Sequence, residues 1–422
     1  MSKVLQALLL VTLYCGVALA ATPTTASLAD SAFHTTAVKV FDSTNTSDAN
    51  WEKISYQTVA FSAGRSNDTL YVWGMAWDDT DKKITAVQKR RLNATVIAWG
   101  NDTSQASYVA ENKVELVTTT IDNSIPARKA PVIASGPGYL GFVTTGTDGA
   151  VQQVYLTVAV DGGVSITTTK LTSTATGSTT TNYNIGSVWY EDDYFYVTWI
   201  TVIDKKETTI SLQAVSASNS SILLYSSPVT VAQGLANDVS ADTDETATFV
   251  MAGPSNYTNS TKIYVLYKDG EKTQVVTVTR ATGTVETVST LATDAAETTY
   301  RPAGTFFSKY TSGTGVEACT TTTTTCTLSL YYNETWTSSV PSNLTSPTGT
   351  TRITLSGNLN YAGFILLVNY AVTEGNTYVY QGFNANGTAN TTSVTVGTVK
   401  GVTSIVQDTK GTLWFGYSNY DT

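Results

Sequence analysis

The stretch V-T-S-I-V-Q-D-T-K-G-T-L-W-F-G-Y, Val402 to Tyr417, decides how the chain is read. Its first arm, Val402 to Val406, is rich in β-branched residues, which suit a pleated, half-buried surface. Asp408 to Gly411 is a turn: aspartate bonds its own backbone there, and glycine accepts a positive φ. The second arm, Thr412 to Tyr417, is apolar and aromatic. A lone two-stranded hairpin is marginal in water, so these arms must join strands from elsewhere in the chain.

Similar apolar arms recur upstream. They begin at Leu70, Tyr139, Tyr194, Thr248, Thr305, Gly363 and Leu413, at intervals of 69, 55, 54, 57, 58 and 50 residues. Periods of this size mark stacked or radially arranged supersecondary units. Two units can be divided into four short strands: Pro131–Ser135, Tyr139–Thr144, Gln153–Val160 and Val164–Leu171 in one, and Ser187–Glu191, Tyr194–Ile200, Thr209–Val215 and Ile222–Val229 in the other. The joints Asp161-Gly162-Gly163 and Lys268-Asp269-Gly270 have hairpin-turn chemistry. Four antiparallel strands in about fifty residues describe a propeller blade. The expected fold is therefore all-β: a seven-bladed β-propeller whose two-stranded last blade is completed by an N-terminal strand at about 36–41. Residues 36–422 form one domain on this reading, with blades from about 51. The long first unit carries a surplus at about Asn101 to Ala127, expected to be an inserted loop or extra hairpin. A two-domain β-sandwich is the alternative, since alternation alone does not separate the two.

The segment Asp408 to Gly416, D-x-x-G-x-L-W-F-G, resembles the blade hairpin of β-propeller repeat families with a D-x-x-G-x-x-W signature. The resemblance implies architecture and no particular function. The Asp-box of sialidase-type propellers is close to it, but this chain has an extra residue between Asp and Gly.

Met1 to Ala20 has the parts of a signal peptide: Lys3, the apolar run Val4 to Leu13, and the small-residue site Ala18-Leu19-Ala20. Residues 21–35 read as a flexible Thr/Ser-rich leader. The expected location is extracellular or at the cell surface, without a membrane span or lipid anchor. Cys15 falls within the signal; Cys319 and Cys326 remain, separated by six threonines, and an oxidising compartment favours a disulfide between them. Asn-x-Ser/Thr sequons at Asn45, Asn67, Asn93, Asn101, Asn219, Asn256, Asn259, Asn333, Asn343, Asn386 and Asn390 are candidate N-glycosylation sites. The net charge of −9 repels nucleic acid and anionic membranes. The basic run Lys89-Arg90-Arg91 is too short to reverse that and reads as a strand's solvent face or end.

Candidate chemistry is sparse. The single histidine, His34, lies in the leader with no nucleophile nearby in sequence. Asp78-Asp79 with Asp81, and Glu191-Asp192-Asp193, lack the calcium-loop pattern and read as solvated turns. Arg128, Lys129, Tyr300 and Arg301 precede innermost strands on this reading, and that joint lines the mouth of a propeller channel. With Trp77 and Asp78 they form the candidate binding set, suited to a carboxylate or acidic sugar. Trp73, Trp189, Trp199 and Trp414 are expected to pack between blades. No P-loop, dinucleotide fingerprint or zinc motif occurs, so no cofactor is expected. The expected role is structural or interactive, in an extracellular coat, wall or filament, with itself, other extracellular proteins or glycans as partners. The alternatives are a lectin-like glycan binder and a glycoside-processing hydrolase built on paired carboxylates.

Overall fold

In a computed structural model, the structure describes 26 strands between Tyr56 and Ser418, together with joints at 171–172, 192–193, 204–205, 217–228, 234–235, 261, 270–271, 280–283 and 294–297. Side chains are described between residues 132 and 318. The expected signal peptide, the expected leader with His34, the closing strand expected at 36–41 and the turn expected at Asp408–Gly411 lie outside the described residues.

The strands form six four-stranded sheets and one two-stranded sheet. Sheet A holds β1 (Tyr56–Ala63), β2 (Thr69–Asp78), β3 (Lys83–Asn93) and β4 (Glu115–Thr119). Sheet B holds β5 (Val132–Gly136), β6 (Tyr139–Asp148), β7 (Val151–Val160) and β8 (Ile166–Lys170). Sheet C holds β9 (Thr181–Glu191), β10 (Tyr194–Ile203), β11 (Lys206–Ser216) and β12 (Val229–Gln233). Sheet D holds β13 (Val250–Pro254), β14 (Lys262–Asp269), β15 (Lys272–Thr279) and β16 (Thr284–Thr293). Sheet E holds β17 (Thr298–Phe307), β18 (Ser312–Thr320), β19 (Cys326–Tyr332) and β20 (Thr335–Val340). Sheet F holds β21 (Thr350–Gly357), β22 (Gly363–Val372), β23 (Gly375–Asn384) and β24 (Val394–Val399). Sheet G holds β25 (Gly401–Gln407) and β26 (Leu413–Ser418).

Every described sheet is an antiparallel meander in chain order. The first strands lie side by side: β1 with β5, β5 with β9, β9 with β13, β13 with β17, β17 with β21. Both strands of sheet G contact β1. Meanders arrayed through their first strands are the architecture of a β-propeller. The sandwich alternative requires crossovers between sheets, and the observed strand orders have none.

Strand β10 shows why the apolar arms are continuous rather than alternating. Phe195, Val197 and Trp199 enter a core shared with Val143, Val154 and Leu156 of sheet B. Tyr196, Ile200 and Val202 enter a second core with Ile263, Val265 and Val276 of sheet D. Both faces of sheet C are thus covered, and a strand buried on both faces loses the apolar-polar alternation. The outermost strand β16 is the opposite case, mostly exposed and rich in Thr, with Ser, Glu and Val, while Leu291 and Ala292 near its end turn inward. A polar edge of this kind discourages edge-to-edge pairing.

Two hairpins use paired positive-φ residues, Asp192 and Asp193 (φ 46° and 64°) and Asp204 and Lys205 (φ 51° and 65°). Their twist matches that of the flanking strands. Aspartate tolerates this region; lysine does so at a cost.

Four sequence expectations need correction. The arms at Thr248 and Thr305 belong to first strands, β13 and β17, and the second strands are β14 and β18. First strands here are packed between neighbours, and a short apolar run in one, Val250-Met251-Ala252 or Phe306-Phe307, resembles a second arm. The surplus at 101–127 contains β4, the fourth strand of sheet A, paired with β3. The fourth strand of sheet C begins at Val229 and not at Ile222. Residues 222–224 bond back onto β11, but Pro228 has no N–H to donate, and the ladder resumes with Val229 opposite Leu212.

Cys319 stands directly opposite Cys326 in the β18–β19 register. Opposed residues in an antiparallel pair have Cα atoms about 4.5–5.5 Å apart, within the range a disulfide spans. In the protein denatured without reductant, Cys319 and Cys326 are expected to resist alkylation, and both should be labelled after reduction. Labelling of either cysteine before reduction would refute the bond. Replacing both by serine should cost about 2 kcal/mol, since the closed loop is short.

Candidate functional site

The expected mouth residues are only partly brought together. Arg301 lies inside β17 rather than before it, opposite Glu317 of β18. The preceding Thr-Thr-Tyr is itself strand-forming, so the strand starts at Thr298. Tyr300 is a stitch between sheets: its carbonyl accepts from Lys268 Nζ (2.7 Å) and Thr273 Oγ1 (3.0 Å), and its N–H donates to Asp294 Oδ1 (2.9 Å). Lys268, itself buried, completes the stitch by an ion pair with Asp294. Trp77 and Asp78 end β2, with Trp77 opposite Tyr56 and Ile84. Arg128 and Lys129 lie outside the described residues. So do the sequons at Asn45, Asn67, Asn101, Asn256, Asn259, Asn333, Asn343, Asn386 and Asn390; Asn93 ends β3, and Asn219 is exposed in the β11–β12 connection. Lys89-Arg90-Arg91 lies in β3, between β2 and β4.

The described residues concentrate polar chemistry at a different place, the seam between sheets C and D. Glu191 ends β9, and the tight turn after it projects Asp192. Arg280, in the turn after β15, reaches across: Nη1 lies 2.8 Å from Glu191 Oε1, and Nη2 lies 2.5 Å from Asp192 Oδ2. Tyr225 donates its hydroxyl to the Arg280 carbonyl (2.8 Å). The Trp189 indole stacks on the buried Tyr196 ring at 5.0 Å and 11°. Asp193 faces the other way and accepts from Ser216 Oγ (3.0 Å) and Ser218 Oγ (2.5 Å). Only Asp192 and Asp193 of the E-D-D run form the solvated turn that the sequence implies; Glu191 ends β9 largely out of water, and both Glu191 and Asp192 are paired with a guanidinium from the turn after β15.

Electrostatically the seam is tense. Burial pushes the Glu191 carboxyl up to about 7; Arg280 pulls it back, and neighbouring Asp192 pushes it further up. The Trp189 N–H favours the carboxylate, yet neither Trp189 Nε1 nor Glu191 Oε2 completes a bond in hydrogen-bonding geometry. Burial also raises the Tyr225 hydroxyl to about 12. Beside the pair runs an open groove of about 570 Å³, walled by Leu224, Tyr225, Ser226, Ser227, Pro228 and Thr282 among others. The sequence reading missed this constellation. Its only local signals are an acidic turn between apolar arms and an arginine at the T-R-A-T-G-T turn, which nothing in the sequence links.

Trp199 packs in the sheet B–C core, and Trp189 packs partly buried against the C–D core, as expected for blade-packing tryptophans.

No family model matches the chain, and no curated protein matches it. Among solved structures it is similar to the β-propeller domain of the trilobed protease from Pyrococcus furiosus, at TM-score 0.42 and 7% identity over 87% of this chain and 91% of that one. It is similar to the Dos1 propeller at TM-score 0.42 and 9% identity, over 87% and 93%. A prolyl endopeptidase structure is similar at TM-score 0.42 and 9% identity, over 80% of this chain; the chain spans 42% of that protein's length.

Proposed function

We propose that the chain is a secreted, N-glycosylated, seven-bladed propeller that serves as a structural or interaction protein of an extracellular coat, wall or filament. The observation that supports this is the use made of its buried charge. At the described seams, Arg280 is committed to Glu191 and Asp192, and Lys268 to Asp294 and a backbone carbonyl. Glu191 and Lys268, both largely out of water, are spent on fastening one sheet to the next, and the outward strand β16 presents hydroxyls. Such a molecule offers a stiff body with a broad Thr/Ser surface. Sedimentation of the purified glycoprotein, with electron microscopy of the material it comes from, tests the reading. Ordered self-association or stable hetero-assembly is expected; a strict monomer at high concentration, absent from any assembly, would overturn it.

Glycan binding is the second reading, favoured by the hydroxyl-lined groove beside Tyr225. The exposed hydroxyls of Ser226, Ser227 and Thr282 suit the hydroxyls of a sugar. Saturable binding on a glycan array, lost in Ser226→Ala with Thr282→Ala, would replace the scaffold reading with this one.

The ring closure belongs to the same proposal. Residues 36–41 add a strand to sheet G, joining the two ends of the chain in one blade. Deleting Val402–Thr422, or the leader through Phe41, is each expected to open the ring and cause aggregation. If both truncations remain soluble with an unchanged melting transition, the closure is wrong.

A further inference from the structure

Large apolar side chains that stay exposed are few among the described residues, and two of them are neighbours: Ile222 and Leu223, at 47% and 40% exposure. They do not hang loose. Ser216 N–H donates to the Ile222 carbonyl and Leu224 N–H to the Ala214 carbonyl, so the pair is pinned along β11 with its side chains in the open. Immediately before them is the sequon Asn219-Ser220-Ser221. The Ile222 N–H donates to the Asn219 carbonyl (2.8 Å), closing one tight turn that puts the asparagine beside the apolar pair. That turn is anchored on three sides. Asn219 Oδ1 accepts from the Ser221 N–H (3.1 Å), the Ser220 carbonyl accepts from Thr169 Oγ1 (3.1 Å), and Ser216 and Ser218 bond to Asp193. Oδ1 is engaged by its own backbone, and the Asn219 side chain is exposed.

We propose that Asn219 carries an N-linked glycan whose first sugars lie over Ile222 and Leu223 and shield them from water. This rests on the secretion reading given above. The attachment is a glycosyl transfer from a lipid-linked diphosphate sugar: the anomeric carbon's bond to phosphate breaks, a bond to Asn219 Nδ2 forms, the diphosphate leaves and Nδ2 loses one proton. Sugar rings carry apolar C–H faces, so a glycan tethered one turn away covers exposed hydrocarbon without a separate binding event. An unshielded adjacent pair would be an association liability.

The test compares the full chain, made in a glycosylating eukaryotic host, with Ser221→Ala. That variant removes the sequon but keeps the Ser221 N–H that bonds Asn219. Glycopeptide mass spectrometry is expected to find Asn219 occupied in the parent and bare in the variant. Binding of the dye ANS should rise in the variant, and Tm should fall by about 2 °C. Adding Ile222→Ser and Leu223→Ser to the variant should bring dye binding back down, which misfolding would not do. A bare Asn219 in the parent, or an occupied one whose loss changes neither dye binding nor Tm, overturns the proposal. If other sequons are occupied while Asn219 fails in either way, only this inference falls; if none of the eleven is occupied, the secretion reading falls with it.

Discussion

Arg280→Met is expected to destabilise the protein most above neutral pH, where Glu191 is ionised in the parent, by about 3 kcal/mol, with a pH profile that identifies the cause. The substitution keeps much of the stem's packing and removes the guanidinium. It leaves Glu191, with a side chain only 11% exposed, beside Asp192 without a countercharge. Removing one partner of a buried pair typically costs about 3–5 kcal/mol, and the 21% exposure of Arg280 argues for the lower end. The sign of the pH dependence follows from the raised Glu191 value. A carboxyl near 4.5 when unfolded and about 7 when folded binds more protons in the native state between those values. Its contribution is complete below about pH 4.5 and is lost as pH rises through 7. The parent should lose about 3 kcal/mol of stability from this group across that window, at about 1.4 kcal/mol per pH unit. In Arg280→Met the attraction is gone, so the decline should continue to higher pH. Glu191→Gln should flatten the profile, and Glu191→Gln with Arg280→Met should recover part of the loss. Denaturant unfolding at a series of pH values measures all four. A pH-independent loss in Arg280→Met would show that the arginine acts through packing alone.

The second large effect belongs to the seam between sheets B and C. Phe195→Ala should cost about 3–5 kcal/mol, the usual range for emptying an aromatic core site. Phe195 has no exposure, and its ring lies against the backbone of Gly141. A Cβ built at position 141 would meet the ring at 2.5 Å. Both are interior residues of β6 and β10, so neither can retreat by bending a loop. Gly141→Ala is therefore expected to cost about 1–3 kcal/mol by overpacking. The two changes share one volume, and they should not add: Gly141→Ala in the Phe195→Leu background should cost less than in the parent. Full additivity would mean that the ring and the glycine are not in contact.

Most of the architecture can be read from the residues because burial on both faces leaves a mark. Y-F-Y-V-T-W-I at Tyr194 and G-F-I-L-L-V at Gly363 are strands that no polar face interrupts, and the structure places both as second strands. The phase is hidden at Val250–Pro254 and Thr298–Phe307, because these first strands carry short apolar runs, V-M-A and F-F, that resemble second arms. Turn chemistry was legible where aspartate precedes a reversal, as at Asp192-Asp193, and illegible at Asp204-Lys205, where lysine takes a conformation that glycine or asparagine would announce. The Arg280–Glu191 pair could not be read at all. Its partners meet because two sheets stack, and stacking order leaves no local trace in sequence. The expected mouth set rested on the strand boundary near Arg301, and boundaries are set by tertiary pairing more than by propensity.

The arrangement of the first strands has a kinetic consequence. Each sheet is a meander, so nearly all of its pairing is between near neighbours in the chain, and such contacts form fast. The contact of β1 with β25 and β26 is the exception, because almost the entire described chain lies between them. During synthesis the sheets can condense one after another as they emerge, while β1 waits with one flank uncovered until β25 and β26 are made. Refolding from denaturant should then show a slow final phase reported by probes on sheets A and G, with sheets C and D already protected. In the cell, the time spent in that open state is the interval in which the chain is most exposed to pairing with another copy of itself.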